Sequence, residues 1–522
     1  MAAAALMAAT APPTATQRLC TRRRPLPGSN MNTKPRILVI GAGPAGLGAA
    51  ARLLERSGSN IELTVMHGAE PGKEEYEPGG QRVVGFYHNL KGLMKRAGID
   101  LDTTLLDMGS AGHMLDPVSK QLHTIDGASA FDVAKQSVTL PTLGITERQN
   151  LDRIMSEAYL LTLRGTDALK ACDEQSFSAW CMERGMLPQM AHNLPILRLF
   201  RDAYFNYPGG ISAYHLLQSC RLMGGLSLEN AKQSALPADA TSTIWNPITA
   251  YVRRMGGTFL PYSNATDWHY EGHHITGVEV TRTDPAGHPL AMARPHRAIP
   301  LQDTGRRIYR DFDYVLSALP VAAFCNMNRG QQAWWESGFF NRLAHLPSAT
   351  SISMTVITRK PVGQFQGPVF GLPAPLGSCT NMTPYWRRYR DDPEVGAVLV
   401  FSGQTRGYEH WSDDDITNFT LDNFSAVNGF GNIRDADILQ LRMQRNVAEH
   451  LRQFDCEPGV QTFRPGNRTP FHNLFLAGDW VRNAVDVVCT EGAITSGQEA
   501  ADQLLRHMNS YDHARFQRSV SV

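Results

Sequence analysis

The chain has 522 residues, of which 42% are hydrophobic and 19% charged. That is too long for one small core and too apolar for a disordered chain, so two or three structural units are expected. Fifty Lys and Arg offset 49 Asp and Glu for a net charge of +1, which leaves no electrostatic basis for binding nucleic acid. The eight cysteines are scattered with no CxxC or Cys/His pair. This argues against a zinc clip or a disulfide framework, and no metal site is expected.

Residues 1–33 are rich in Ala, Thr and Pro, carry Arg18, Arg22, Arg23 and Arg24, and lack acids. They read either as a transit peptide, implying import into an organelle such as a plastid, or as an extension upstream of a start at Met31. In both readings the segment is disordered. Without import the expected location is cytoplasmic, including the surface of a membrane, because no apolar run is long enough to span one.

The apolar run 36–40 then reads as a strand, 49–56 as a helix and 61–65 as a second strand. Residues 85–240 read as mainly helical, with helices at 90–97, 176–184 and 212–223. A further helix at 246–253 is closed by Gly256-Gly257. Strands follow at 258–260, 275–280 and 313–319. Residues 282–308 are polar and turn-rich and read as an exposed insertion. Strands at 351–357 and 396–401 predict a second, mixed sheet. The chain closes with a strand at 474–477 and a helix at 493–507.

Gly41-x-Gly43-x-x-Gly46 joins the first strand to the first helix. In this context Gly41 permits the tight turn, Gly43 admits a pyrophosphate against the backbone, and Gly46 allows close helix–strand packing. The helix N-terminus, with Ala45 in its first turn, faces the phosphates. An acid at the end of the second strand is the usual partner of the ribose hydroxyls. Here Met66-His67 stands in that place, with Glu70 nearby, so His67 is the expected ribose contact. Far downstream, Gly478-Asp479 ends an apolar strand, and Glu491-Gly492-Ala493 opens a helix. Asp479 is placed to accept ribityl hydrogen bonds. The helix start is placed to stabilise negative charge on a reduced flavin ring. One dinucleotide held by both ends of the chain follows.

These residues resemble the flavin amine oxidase and phytoene desaturase superfamily. The matches are Gly41 to Gly48, Pro71-Gly72-Lys73, Asp313 to Pro320 and Leu476 to Gly497. Within the superfamily the chain is most similar to the carotenoid desaturases. Gly79 to Leu90 resembles their Gly-x-His-x-Phe-x-Gly-x-Tyr-x-Asn motif, with Gln81 in place of His and Val83 in place of Phe. Asp173 to Trp180 resembles a helical segment of the same proteins. The resemblance implies FAD, with Gly72 and Lys73 along its diphosphate and Ala265 on a strand whose backbone meets the adenine. Arg82 and Tyr87 would face the substrate side.

The expected architecture is α/β. A Rossmann-type FAD-binding domain is assembled from residues 34–90, 240–320 and 460–510. An interleaved α+β substrate domain takes residues 91–239 and 321–459. The expected activity is hydride transfer from a substrate carbon to flavin N5, desaturating an apolar isoprenoid or carotenoid-like small molecule collected at a membrane surface. The electron acceptor is a quinone or oxygen. The alternatives are a flavin amine oxidase acting on a soluble amine, a redox-neutral isomerase or dehydroxylase, and a non-enzymatic scaffold. Cys489 reads as a buried thiol in preference to a covalent flavin link. Trp334-Trp335 and Phe339-Phe340 read as core in preference to a tunnel lining, and Tyr385 to Arg388 as a solvated loop in preference to a membrane patch. Neither a Ser/His/Asp elbow nor HExxH is present, so hydrolysis has no support.

Overall fold

Strand Arg36–Ile40 (β1) pairs in parallel with Glu62–Met66 (β2) on one side and Tyr314–Ser317 (β12) on the other. Thr258–Leu260 (β8) adds beyond β2, and Leu474–Leu476 (β20) beyond β12. The order is therefore β20-β12-β1-β2-β8. In this computed structural model the described residues are 34–68, 82–109, 111–116, 119–126, 144–194, 197, 210–225, 227–284, 302–327, 334, 337–448 and 451–520.

The parallel sheet is covered, which is why its strands read as near-continuous apolar runs. Helix Pro44–Ser57 (α1) connects β1 to β2, and helix Thr490–Val520 (α8) follows β20. A side chain at Gly48 would come within 3.1 Å of the Ile494 carbonyl, so glycine lets α1 and α8 pack backbone to backbone. Ala49, Ala50, Leu53, Ile494, Ala501 and Leu504 fill that seam. Helices His88–Arg96 (α2) and Asn246–Arg254 (α6) complete this layer.

A seven-stranded sheet forms the second layer. Its order is Ile438–Asn446 (β18), Ser351–Thr358 (β14), Ala397–Gln404 (β17), Ser378–Asn381 (β16), Pro368–Phe370 (β15), Ala111–Leu115 (β5) and Leu122–Asp126 (β6). Helix Asp413–Ser425 (α7) packs on it through Ile416, Leu421 and Phe424, and is started by a Ser412–Asp415 capping box. The helical reading of 85–240 thus needs correction, because β5 and β6 belong to this sheet. Three short strands, Arg82–Val84 (β3), Leu106–Asp107 (β4) and Gln233–Ala235 (β7), also form a sheet of their own. The pairings of β5 with β15 and of β3 and β4 with β7 join distant segments, which leaves little local periodicity. The helical part of this region includes Ile145–Leu163 (α3), Phe177–Glu183 (α4) and Ala213–Cys220 (α5).

The expected insertion at 282–308 is also corrected in part. Ser263–Glu271 (β9), His274–Asp284 (β10) and Gln302–Tyr309 (β11) make an antiparallel sheet, and the polar stretch supplies the end of β10 and nearly all of β11. Ser348–Ala349 (β13) and Gln453–Phe454 (β19) form a small ladder. Trp268, Phe324, Trp334 and Phe340 are buried together, with the Trp334 and Phe340 rings stacked at 3.8 Å. They are core, as expected; Trp335 lies outside the described residues. Tyr385 is buried with Met108, Met382 and Val398, while Arg387 and Arg388 are exposed, so the solvated reading holds for the arginines and not for Tyr385. Among the described residues no helix is long and apolar enough to cross a membrane.

Candidate functional site

The carboxyl ends of β1, β2 and β20 converge with the N-termini of α1 and α8. Gly41 has φ +103°, a conformation that favours glycine, and its N–H donates to the Met66 carbonyl at 2.8 Å. A side chain at Gly46 would be driven into the Gly41 carbonyl. At Gly43 the situation reverses: a Cβ there meets no atom within 4 Å. Gly43 is also the N-cap of α1, and no side chain caps that end. The N–H groups of Ala45 and Gly46 lie in the first turn and have no partner inside the helix. Open space before unsatisfied donors fits a dinucleotide pyrophosphate.

At the other end of the chain Gly478 has φ +145°, and a Cβ there would come within 2.6 Å of the Trp480 indole nitrogen. The indole donates to the Leu319 carbonyl at 3.0 Å, and the Gly478 N–H donates to Ser496 Oγ at 3.2 Å. Asp479, half-buried at the end of this strand, is pushed up to about 6 by burial, with Arg464 pulling the other way. Gly492 and Ala493 lie in the first turn of α8. A Cβ on Gly492 would run into the Val487 carbonyl, so glycine keeps that turn close to the loop before it.

Glu491 has a structural task that its sequence position did not reveal. It is 1% exposed, and its two carboxylate oxygens accept the Asn89 N–H at 2.7 Å and the Leu90 N–H at 2.9 Å. It therefore caps the start of α2. The Asn89 amide donates in turn to Thr495 Oγ1 at 2.9 Å. Burial raises the Glu491 carboxyl, and the two amides oppose that rise.

His67 follows β2 beside the glycine loop, its N–H donating to Leu260 O and its carbonyl accepting from Ser263 N, both at 2.9 Å. Burial pulls its imidazole down to about 4, so the ring is neutral at physiological pH. Ala265 follows Ser263 on β9, so the adenine-side expectations converge. Gly72, Lys73, Glu70 and Gln81 lie outside the described residues.

Arg82 on β3 is half-buried. It donates to Gln233 Oε1 at 3.0 Å and lies over the Phe370 ring of β15 at 5.4 Å. No ion pair joins it to a carboxylate among the described residues, and burial lowers its guanidinium to about 10. Tyr87 is buried edge-on to Phe86 at 4.9 Å. Burial pushes the Cys489 thiol up to about 12, and its sulfur accepts from Gly492 N at 3.3 Å. Such a thiol is a poor nucleophile, in keeping with the buried-thiol reading.

Sequence reasoning missed Arg464, which is wholly buried and pairs with Asp486 at 2.7 Å. An Arg-Pro-Gly sequence reads as a turn. Nothing local shows that its side chain enters the core.

Residues 295–505 match the family model for flavin-containing amine oxidoreductases. The 15-cis-phytoene desaturase of Synechococcus elongatus is 23% identical over 90% of this chain and 96% of its own length. The carotenoid φ-ring synthase of Streptomyces griseus is 24% identical, over 90% of this chain and 88% of its own. In three dimensions a putrescine oxidase superposes with a TM-score of 0.63 at 14% identity, covering 91% of this chain and 99% of that one. This shows the fold. The chain is an FAD-dependent oxidoreductase that is similar to the flavin amine oxidases and the carotenoid desaturases.

Proposed function

We propose that this enzyme desaturates an apolar isoprenoid or carotenoid-like substrate. The observation that carries the reading is the similarity, across nearly the whole of both chains, to a phytoene desaturase. Arg82 adds a physical argument against the amine alternative. On the substrate side, a half-buried guanidinium with no carboxylate partner would repel an ammonium group, whereas a neutral polyene meets no such penalty.

In this reading the flavin, when bound, accepts the substrate's hydride. The first turn of α1 holds the diphosphate with Ala45 and Gly46 N–H groups, with Gly72 and Lys73 beside it. Neutral His67 accepts or donates one ribose hydrogen bond, and the strand at Ala265 flanks the adenine. Gly478 lets the backbone approach, and Asp479 accepts from ribityl hydroxyls. Gly492 and Ala493 would bring the positive end of α8 to the ring, where it favours negative charge. Glu491 and Asn89 tie α2, and with it Tyr87, to that helix. In this reading residues 34–90, 240–320 and 460–510 hold the cofactor, and residues 91–239 and 321–459 serve the substrate. The substrate is drawn from a membrane surface, and a quinone or oxygen removes the electrons.

The test is anaerobic bleaching of the bound flavin. Polyenes in lipid or detergent should reduce it and soluble amines should not. Reduction by amines alone would replace this reading with the amine oxidase. Turnover of an isoprenoid with no net consumption of an oxidant would favour the redox-neutral alternative.

A further inference from the structure

Arg464 lies in the turn Arg464-Pro-Gly, and its side chain makes more defined contacts than any role in that turn requires. Nε donates to the Trp480 carbonyl at 3.2 Å. Nη2 donates to the carbonyls of Asp479 at 2.8 Å and Val481 at 3.1 Å. Nη1 meets Asp486 Oδ1 at 2.7 Å and Gln461 Oε1 at 3.3 Å. One planar fork thus holds three successive carbonyls, a task its fixed geometry suits and a lysine's single ammonium does not. Asp486 is anchored as well. Its other oxygen accepts from the Tyr214 hydroxyl of α5 at 2.5 Å, and its backbone N–H donates to Asn483 Oδ1 at 3.0 Å.

The same assembly reaches the helical region by a second route. Gln461 N–H donates to Asp173 Oδ2 at 2.9 Å, and Asp173 Oδ1 accepts from Ser212 at 2.7 Å. The Ser212 N–H donates to the Cys456 carbonyl at 2.8 Å. Asp173, Ser212 and Tyr214 are thereby tied to the turn that carries Asp479.

We propose that Arg464 is a positioning residue for the cofactor: held by Asp486 and Tyr214, it fixes the Asp479–Val481 turn through three carbonyls and keeps the Asp479 carboxylate aimed and charged. This rests on the placement of Asp479 at FAD given above. Drawing the carbonyls of this turn to one side fixes its peptide planes, and the Trp480 backbone N–H favours the charged form of Asp479. Among the described residues, the charged and titratable groups that face Asp479 are Arg464 and the thiols of Cys456 and Cys489. Burial raises both thiols, so they stay neutral. Of these groups Arg464 is the one whose charge opposes the burial that drives Asp479 towards its protonated form, with backbone N–H groups of the turn acting in the same direction.

The test uses purified holoenzyme diluted in steps between about pH 5 and 9, with free flavin fluorescence giving the FAD Kd. Wild-type affinity should fall as pH drops through about 6, where Asp479 takes up its proton. The double variant Arg464→Met/Asp486→Asn removes both charges, so neither is left orphaned in the core. Asn also tolerates the φ of +58° found at Asp486. With Arg464 gone the fall should move up by about one pH unit, weakening FAD about twofold at pH 7 and about tenfold at pH 5. Arg464→Lys keeps the charge and loses the fork. It should weaken FAD at every pH without moving the profile. A folded double variant, checked by circular dichroism, with wild-type Kd and wild-type profile would overturn the proposal. If the double variant does not fold, wild-type affinity in the lysine variant overturns it equally. Wild-type protein without flavin would instead overturn the placement of the cofactor itself.

Discussion

Gly43→Val separates the cofactor from the fold. Gly43 has φ −73° and ψ −176°, an extended conformation open to any residue. A Cβ there meets no protein atom within 4 Å. The substitution should therefore change apoprotein stability by about 1 kcal/mol or less, with some gain expected from losing glycine's freedom in the unfolded chain. The valine methyls nevertheless occupy the space before the Ala45 and Gly46 N–H groups. Denying the diphosphate those two charge-assisted bonds, at about 1.5–3 kcal/mol each, costs ~3–6 kcal/mol, or on the order of 10²- to 10⁴-fold in affinity. The assay is the ratio of flavin to protein absorbance after purification. Thermal unfolding is compared on flavin-free samples, because bound ligand raises the midpoint by itself. Gly46→Val is the contrast: its side chain is driven into the Gly41 carbonyl, so it should fail to fold. A folded Gly43→Val protein with wild-type flavin content would refute the placement of the phosphates.

Asp479→Ala should weaken FAD by about 10- to 150-fold in a folded protein, the value of one charge-assisted bond; titration of the flavin-free variant checks it. Cys489, pushed up to about 12 by burial, should resist thiol reagents at pH 8, and acid-denatured protein should release all its flavin to the supernatant. Asp455 is 4% exposed, and burial beside Glu457 raises it to about 7 despite Arg406. The native state therefore binds a proton that the unfolded state has lost between about pH 4 and 7, so this group makes stability fall as pH rises through that window. Asp455→Asn should accordingly raise the unfolding midpoint at pH 8 and leave it unchanged near pH 4. Finally, an enzyme collecting a polyene from lipid should float with liposomes, and the binding should survive moderate salt because apolar burial is not screened. Protein left entirely in the aqueous fraction would count against that substrate class.

The parallel sheet was legible because its burial on two faces writes itself as apolar runs, and because glycines at 41, 43 and 46 have separate steric reasons. What escaped the sequence was contact between distant segments. β5 pairs with β15 through His113–Val369 and Met114–Phe370, and no local pattern in 111–126 announces a partner so far along the chain. Asp479 was visible at its strand end, but the guanidinium behind it was not. Glu491 was visible as a helix start, yet its carboxylate is turned to α2 and not to the open face of α8.

That last placement bears on the electrostatics of the site. A carboxylate in the first turn of α8 would ordinarily offset the positive helix end on which a reduced flavin ring relies. Here both oxygens face the N–H groups of Asn89 and Leu90, the positive end of a second helix. The negative charge is thus shared between two helix N-termini, which weakens its opposition to the α8 field without abolishing it. The Gly492 and Ala493 N–H groups donate to the Cys489 sulfur at 3.3 Å and carbonyl at 3.0 Å, so what reaches the ring is the field of the helix end, and α2 is locked to the same point. Glu491→Gln keeps one acceptor for that lock and removes the charge. It should therefore loosen α2 while raising the flavin midpoint potential, since the anion-stabilising field is no longer opposed. A potential that falls, or stays at the wild-type value in a variant that retains its flavin, would mean that the helix end does not act on the ring.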